Sequence, residues 1–153
     1  MNSNQIELRK IKESFFEEHP NLIEAIYDKD RGYGYISCYI EGNNFAIPLR
    51  SHIKHDYCFK TSTPPGSEGS KGLDYTKALV VDSKFLDGTF AIDNNQYQRI
   101  LRNQRKIIND FSEYVHNYKK FKRDEEVSEY YSKAYRYTTL VNYHSILGIW
   151  YSL

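Results

Sequence analysis

The chain has 153 residues, the size of one domain built around one hydrophobic core. Its 21 Lys and Arg residues nearly balance its 20 Asp and Glu residues, and this net charge of +1 excludes a histone-like or polybasic-tail binder of nucleic acids. Aromatic residues reach 16%, mostly tyrosine, which suits interfaces and sites that stack flat ligands, although an A+T-rich genome also enriches tyrosine codons. We expect a single domain over residues 1–153.

The sequence also bears on the compartment. No apolar run approaches the about 18 residues that a membrane helix needs, and the segment from Met1 to Lys12 is polar and lacks the apolar core of a signal peptide. Cys38 and Cys58 are the only cysteines, which is too few for a disulfide framework. We therefore expect a cytoplasmic protein with no membrane partner.

The first half of the chain predicts a helix and then a β-hairpin. Ile6 to Glu18 is a short amphipathic pattern that Pro20 ends. Tyr33 to Ile40 then alternates in the manner of a strand. Glu41 to Asn44 is a turn, and Phe45 to Leu49 is the second strand of the hairpin.

The second half predicts a change from strands to helices. Thr61 to Gly72 is rich in Pro, Gly and Ser and predicts a surface loop, with short strands at Tyr75 to Val81 and Gly88 to Ile92. From Asn94 to Lys122 apolar residues recur at spacings of three and four, which predicts one long helix. Asp124 to Tyr135 and Thr138 to Trp150 predict one or two further helices. The expected fold is therefore α+β, a small antiparallel barrel or curled sheet followed by helices.

The densest set of chemically functional side chains lies between Pro48 and Thr61, just past a predicted strand end, where sites are common. Five basic side chains face a single acid there, Asp56, and a hydroxyl lies among them. Such a cluster attracts a phosphodiester, and it contains groups that can move protons and stabilise a charged phosphorane, which is what metal-free RNA cleavage needs. The candidates are Arg50, Ser51, His52, Lys54, His55 and Lys60.

Two other interpretations of this segment stay open. The segment could be a solvated loop that carries ordinary charges. A zinc site is also conceivable because His52, His55 and Cys58 are spaced by three, but the set lacks the paired Cys or His motifs of a zinc site, so we expect no metal and no cofactor.

A second basic region lies on the predicted long helix. Its cations could follow a nucleic-acid backbone, or they could be a solvated helix face of no special function. They are Arg99, Arg102, Arg105, Lys106, Lys119, Lys120, Lys122 and Arg123.

Two segments together resemble a known family. Tyr35 to Ile40, the turn, and Phe45 to Ser51 are followed by a basic stretch and then by Lys71 to Val81, Lys-Gly-Leu-Asp-Tyr-Thr-Lys-Ala-Leu-Val-Val. This order resembles the toxins of type III toxin–antitoxin systems, the ToxN/AbiQ-like endoribonucleases, and their TenpN branch most. The resemblance covers about Tyr33 to Ile92 in its motifs and the helical half in outline.

The resemblance implies a fold and an activity. Such toxins have an SH3-like barrel of the Kid/MazF type elaborated with helices, cleave cellular or phage RNA without a metal, and leave a 2′,3′-cyclic phosphate. They process the folded repeat RNA that inhibits them, close with it into a ring-like protein–RNA complex, and serve antiviral defence by abortive infection.

The resemblance also assigns residues. Ser51 matches the motif serine, and Lys54 takes the place of the motif lysine one residue further on. Arg50 stands where ToxN-type members carry threonine, and His52 and His55 are not required by the pattern, so their part in proton transfer stays open. The residues expected to bind RNA, besides this loop, are Tyr33, Lys60, Lys71, Lys77, Arg99, Arg102 and Arg105.

Two functions of other classes remain as rivals. A non-catalytic RNA-binding module could use the same cations and tyrosine faces without turnover. A protein–protein interaction domain would instead use the tyrosine surplus as an interface.

Overall fold

The computed structural model describes residues 6–27, 34–63, 65–66 and 68–149. Strands β1 to β7 span Glu7–Ile11, Tyr35–Ile40, Asn43–Ile53, Cys58–Ser62, Ser70–Asp74, Leu79–Val80 and Leu86–Asp87. Helices α1 to α4 span Glu13–Glu18, Asn94–Arg102, Gln104–Lys122 and Glu129–Ser132, and short 3-10 turns cover Tyr75–Lys77, Ser83–Phe85 and Thr139–Asn142.

The fold is α+β, as the sequence predicts. Seven antiparallel strands form one sheet in the order β4-β5-β3-β2-β1-β7, with β6 beside β3. The two strands at the ends of this order, β4 and β7, are not paired with each other, so the sheet built by the described residues is open. None of the described helices is both long and apolar enough to cross a membrane.

The predicted hairpin is confirmed as β2 and β3. Ile40 pairs with Asn43, so the loop has two residues, Glu41 and Gly42, and both have positive φ, 51° and 81°. Positive φ at both loop positions is the type I′ geometry, whose twist matches that of the flanking strands. Strand β3 continues to Ile53, so the basic segment after Leu49 begins inside this strand rather than in a loop beyond it.

The helix predicted over Ile6 to Glu18 is wrong in its first half. Glu7–Ile11 is strand β1, which pairs with β2 on one edge and with β7 on the other, and only Glu13–Glu18 is helical. The positions of Leu8 and Ile11 are compatible with a helix or with a strand. The segment forms a strand because it pairs with β2 and with β7.

The segments after the hairpin differ from prediction in their bounds. The predicted loop over Thr61 to Gly72 is shorter than expected, because β4 extends to Ser62 and β5 begins at Ser70. The predicted strand at Tyr75 to Val81 is a 3-10 turn followed by the two residues of β6. No strand forms at Gly88 to Ile92; β7 lies just before this segment, at Leu86–Asp87.

The predicted long helix is two helices. Asp93 caps α2 by accepting hydrogen bonds from the N–H groups of Asn95 and Gln96. The chain turns at Asn103, and α3 then runs for 19 residues. The helices expected in 124–150 shrink, within the described part of that segment, to the four residues of α4 and a 3-10 turn.

Both faces of the sheet are covered. Alternate residues of β3, Phe45, Ile47 and Leu49, join α3 residues such as Phe111 in the larger core. Ala46, between them, belongs to a smaller core that includes Phe15. The sheet is thus held between α3 on one side and α1 on the other, and its β4–β5 end carries the candidate site.

Candidate active site

A β-bulge shapes the end of β3. Arg50 pairs with Gly72 and Ile53 pairs with Ser70, so Ser51 and His52 together oppose one residue of β5, Lys71. Such an extra residue bends a strand and redirects its side chains, and bulges of this kind recur beside active sites. His52 takes up the distortion with φ of 61°, a left-handed conformation that few non-glycine residues adopt.

Gly69 makes room for the bulge. Its φ is +90°, and a Cβ at this position would lie 2.7 Å from the carbonyl carbon of His52 and from the backbone oxygen of Ile53. Only glycine accommodates both the conformation and the close approach of the backbone. The bulge is therefore supported from the β5 side by one glycine.

The bulge places a hydroxyl and two basic side chains together in the chain. Ser51 is half-buried, and its hydroxyl makes no hydrogen bond with a described residue. His52 is exposed and likewise has no described partner. Lys54 keeps 68% of its side chain exposed and pairs with Glu68, Nζ to Oε2 3.2 Å. All three side chains are available to a ligand. The ion pair of Lys54 with Glu68 does not prevent this, because a pair of exposed charges is weak and exchanges readily.

Arg50 and His55 are organised by a buried carboxylate, Asp74. Nη1 of Arg50 donates to Oδ2 of Asp74 at 2.7 Å, and Nε2 of His55 lies 3.2 Å from Oδ1. The hydroxyl and the backbone N–H of Thr76 also donate to Oδ1, at 2.6 and 3.0 Å. Asp74 has no exposed surface, so its charge is compensated by four donors rather than by water.

These contacts fix the proton on the His55 ring. The backbone N–H of Tyr57 donates to Nδ1 of His55 at 3.0 Å, so Nδ1 must be the unprotonated nitrogen. The proton of the neutral ring is then on Nε2, facing Asp74. Both ring nitrogens are occupied, so His55 is held in place by its surroundings, whereas His52 is not.

The pKa of Asp74 is lowered. Burial by itself would raise it, but the hydrogen bond from His55 acts in the opposite direction and, together with the hydrogen bonds from Thr76 and Arg50, outweighs burial. Asp74 is therefore a carboxylate at neutral pH, and it supplies a fixed negative charge to Arg50 and His55. We call the side chains of Arg50, Ser51, His52, Lys54 and His55 the basic cluster.

Two tyrosines hold the turn that carries His55. The hydroxyl of Tyr57 donates to the carbonyl of Tyr130 at 3.1 Å, and the hydroxyl of Tyr130 donates to the carbonyl of Asp56, also at 3.1 Å. Their ring centroids are 4.8 Å apart. Helix α4 thus fastens the 55–57 turn by a reciprocal pair of hydrogen bonds.

Cys58 follows this turn and is not an activated thiol. Burial, followed by the negative charge of Asp74, raises the pKa of Cys58 to about 11. Its Sγ lies 3.5 Å from the backbone oxygen of His55, to which the thiol donates. Cys58 therefore stays protonated and acts in packing.

The residues expected to bind RNA separate into three groups. Lys60 and Arg99 are neighbours, since Nε of Arg99 donates to the carbonyl of Lys60 at 3.3 Å. Arg102 and Arg105 are exposed around the break between α2 and α3, and Lys71 is exposed on β5. None of these five is buried.

Lys77 differs from the rest. Its Nζ donates to the backbone oxygens of Glu24 and Tyr137, both at 3.0 Å, and to the Glu24 carboxylate at 3.2 Å. Only 15% of its side chain is exposed, so Lys77 joins two loops. Tyr33 lies outside the described residues.

Asp74 is a site residue that the sequence analysis did not predict. Asp56 is the one acid that the sequence places beside the basic segment, but Asp56 is exposed and pairs with Lys60 at 2.9 Å, whereas Asp74 contacts Arg50 and His55. A local signal existed, because an acid two residues before a threonine at the end of a strand is a typical cap of a following turn. What it could not show was the pairing of β3 with β5.

The described residues contain no group of three or more His, Cys, Asp or Glu side chains placed to hold a metal ion. A scan of protein-family models, a search of curated proteins and a search of solved structures each give no match for this chain.

Proposed function

We propose that this protein is an endoribonuclease toxin of a type III toxin–antitoxin system, which cleaves RNA without a metal and leaves a 2′,3′-cyclic phosphate. One observation carries the proposal: the bulge contains Ser51 and His52, whose hydroxyl and imidazole have no hydrogen-bond partner among the described residues, and it directly follows Arg50, a cation anchored on buried Asp74. A phosphodiester needs this combination of a cation, a hydrogen-bond donor and a group that moves protons.

The roles follow from the contacts. His52 takes the proton of the 2′-OH, because its exposed ring has no hydrogen-bond partner among the described residues and an imidazole can act as a general base. The 2′ oxygen attacks phosphorus, and the bond to the 5′ oxygen breaks. The 5′ oxygen takes a proton from the ammonium of Lys54, while Ser51 and Arg50 bind the phosphoryl oxygens. His55 is a positioning residue that shares Asp74 with Arg50.

The inhibitor and the setting are part of the same proposal. A folded repeat RNA would bind the exposed cations Lys71, Arg102 and Arg105, close into a ring with several toxin copies and cover the site. The toxin would act in the cytoplasm, where its RNA substrates are, as an abortive-infection defence against phage. We also propose that the seven-stranded sheet is an elaborated SH3-like barrel of the Kid/MazF type; the short antiparallel strands around the long, bulged β3 support this.

The test is cleavage of cellular RNA by the purified full chain in excess EDTA, with mass spectrometry of the product ends. We expect cleavage and 2′,3′-cyclic phosphate ends, and we expect Ser51→Ala to reduce the yield of these products roughly 10²-fold at equal protein concentration. Cleavage that is lost on chelation and restored by Mg²⁺ would contradict the proposal. A tandem array of short repeats with a terminator just upstream of the gene would support the type III assignment independently.

The second candidate is a non-catalytic RNA-binding module. Its supporting observation is that both ring nitrogens of His55 are occupied, which leaves fewer proton carriers than a two-histidine mechanism requires. Binding of RNA without any cleavage, unchanged by His52→Asn, would favour this module over the enzyme.

A further inference from the structure

A recess in the protein surface lies beside the basic cluster and shares the 55–57 turn with it. It has a volume of about 520 Å³, within the range of pockets that hold small ligands. Five tyrosines contribute to its walls together with cations and acids. We call it the tyrosine groove; its lining includes Tyr57, Lys60, Tyr75, Arg99, Tyr130 and Tyr131.

The walls of the groove offer aromatic faces. Tyr130 has 47% of its surface exposed although it is a large aromatic residue, and Tyr131 beside it is half-buried, with ring centroids 5.0 Å apart and planes at 85°. The ring of Tyr57 packs against the ring of Tyr130 on the same side of the groove. Exposed, hydrogen-bonded tyrosines are rigid, so stacking a flat ring against them costs little conformational entropy.

The groove also has an unsatisfied polar atom. The hydroxyl of Tyr75 is buried and has no hydrogen-bond partner among the described residues, and Tyr75 itself is only 4% exposed. Buried hydroxyls are nearly always paired, so this unpaired hydroxyl is an unusual feature of a residue that lines the groove.

Charge in the groove favours an anion. Lys60 pairs with Asp56, and Lys106 with Asp110 at 3.1 Å, which leaves Arg99 as the uncompensated cation of the lining. Arg99 uses only Nε, on the Lys60 carbonyl, and forms no ion pair with a described residue. Its two terminal nitrogens are therefore open to a phosphate, which a guanidinium binds through two parallel hydrogen bonds.

A peptide strand is a poorer occupant. Strand β4 lies at the end of the sheet order, and such an edge is where a peptide strand could be added. However, Arg99 of α2 already occupies the Lys60 carbonyl, and Gln96 of α2 occupies the hydroxyl of Thr61 at 2.7 Å. Helix α2 thus covers the edge that an added strand would need.

We infer that the tyrosine groove binds one unstacked nucleotide of single-stranded RNA, with its base against Tyr130 and Tyr131 and its phosphate on Arg99. The groove shares the 55–57 turn with the basic cluster, and Tyr57 stacks on His55 with centroids 5.7 Å apart. A strand bound at Ser51 could thus place a neighbouring base in the groove. This assignment rests on the proposed function for its RNA substrate, but the groove would bind a nucleotide whether or not cleavage follows.

The test uses the full chain and a fluorescent 2′-O-methyl RNA trinucleotide, which lacks the 2′-OH and cannot be cleaved. Binding is measured by fluorescence anisotropy at low salt. We expect Tyr131→Ala and Arg99→Gln each to weaken binding roughly tenfold or more, since one base–aromatic stack is worth about 1–3 kcal/mol. Tyr131→Phe, which keeps the ring, is the matched control and should bind within about twofold of wild type.

A second probe distinguishes stacking from charge. The same trinucleotide with one abasic residue should bind more weakly to wild type, and Tyr131→Ala should then cause no additional loss. Arg99→Gln is an exposed change that does not touch the core, so it keeps the test valid if Tyr131→Ala is poorly folded. Full affinity in both Tyr131→Ala and Arg99→Gln would overturn the inference, as would no binding at all, which would leave the groove to a peptide.

The two proposals fail in different ways. RNA cleavage that depends on Ser51, with trinucleotide binding insensitive to Tyr131 and Arg99, would refute the groove and keep the enzyme. Groove-dependent binding without any RNA cleavage would keep the groove and refute the enzyme.

Discussion

Arg50 and Asp74 form an ion pair across β3 and β5, with 2.7 Å between Nη1 and Oδ2. The carboxylate is fully buried, whereas 28% of the arginine side chain is exposed. A charge that no water reaches thus holds a guanidinium at the surface of the candidate site. The same carboxylate orients His55, so one buried acid organises two basic side chains of the cluster.

Removing this acid should destabilise the protein. We expect Asp74→Ala to lower the free energy of unfolding by about 3 kcal/mol, because Arg50 and His55 lose a partner and Thr76 loses its acceptor. Urea denaturation would measure the change. Asp56→Ala is the matched control, since Asp56 is exposed, and its unfolding curve should nearly overlay that of wild type. Equal effects of the two changes would contradict the assignment of Asp74 as the organising acid.

The same carboxylate gives a pH dependence with a defined sign. Because the pKa of Asp74 is lower in the folded state, its contribution to stability is fully present above the unfolded pKa, about 3.9. It is lost as the pH falls through the folded value. We therefore expect the stability difference between wild type and Asp74→Asn to shrink as the pH is lowered below about 4. A difference that stays constant down to pH about 2 would contradict the lowered pKa.

Ser51 and Lys54 should matter for activity and not for folding. Ser51 is half-buried and Lys54 is exposed, so neither truncation opens a core cavity. We expect Ser51→Ala and Lys54→Ala each to reduce RNA cleavage roughly 10²-fold and to relieve toxicity on expression, with melting temperatures near that of wild type. Glu68→Gln, which releases Lys54 from its ion pair, is the control and should stay toxic. Full toxicity of both alanine variants at equal abundance would place the site elsewhere.

The two histidines of the cluster should behave differently. His52→Asn keeps a residue that tolerates positive φ, so we expect normal stability and a loss of RNA cleavage of roughly 10²-fold or more, because the general base is removed. His55→Ala should lower stability, because Asp74 loses a donor, and should retain more of the cleavage rate than His52→Asn. Denaturation curves and cleavage rates of the two variants would check this. A reversed pattern would make His55 the proton carrier.

Antitoxin binding should depend on cations outside the tyrosine groove. Arg102 and Arg105 are exposed and do not line it, so Arg102→Glu with Arg105→Glu should weaken binding of a long folded RNA. The log–log slope against salt should fall by roughly 0.7–0.9 for each lost phosphate contact. Cleavage of a short linear substrate should survive. An unchanged slope in titrations at several salt concentrations would remove these residues from the RNA surface.

Features that depend on neighbouring residues in the chain were predictable from the sequence. The β2–β3 hairpin follows from a period of two around Glu41 and Gly42, and the start of α2 follows from the carboxylate of Asp93. The basic segment from Arg50 to Lys60 was also visible, because it is continuous in sequence. In each case the interacting groups are at most a few residues apart, so their spacing alone carries the information.

Features that depend on partners distant in the chain were decided by the tertiary structure. The strand at Glu7–Ile11 exists because β2 and β7 lie on its two edges, although its spacing also fits a helix. Asp74 reaches Arg50, 24 residues away, only because β3 pairs with β5. The tyrosine groove joins β4 to α2, α3 and α4. The physical reason is that burial and pairing energies come from whichever surfaces meet, and a local pattern of residues does not specify which surfaces those are.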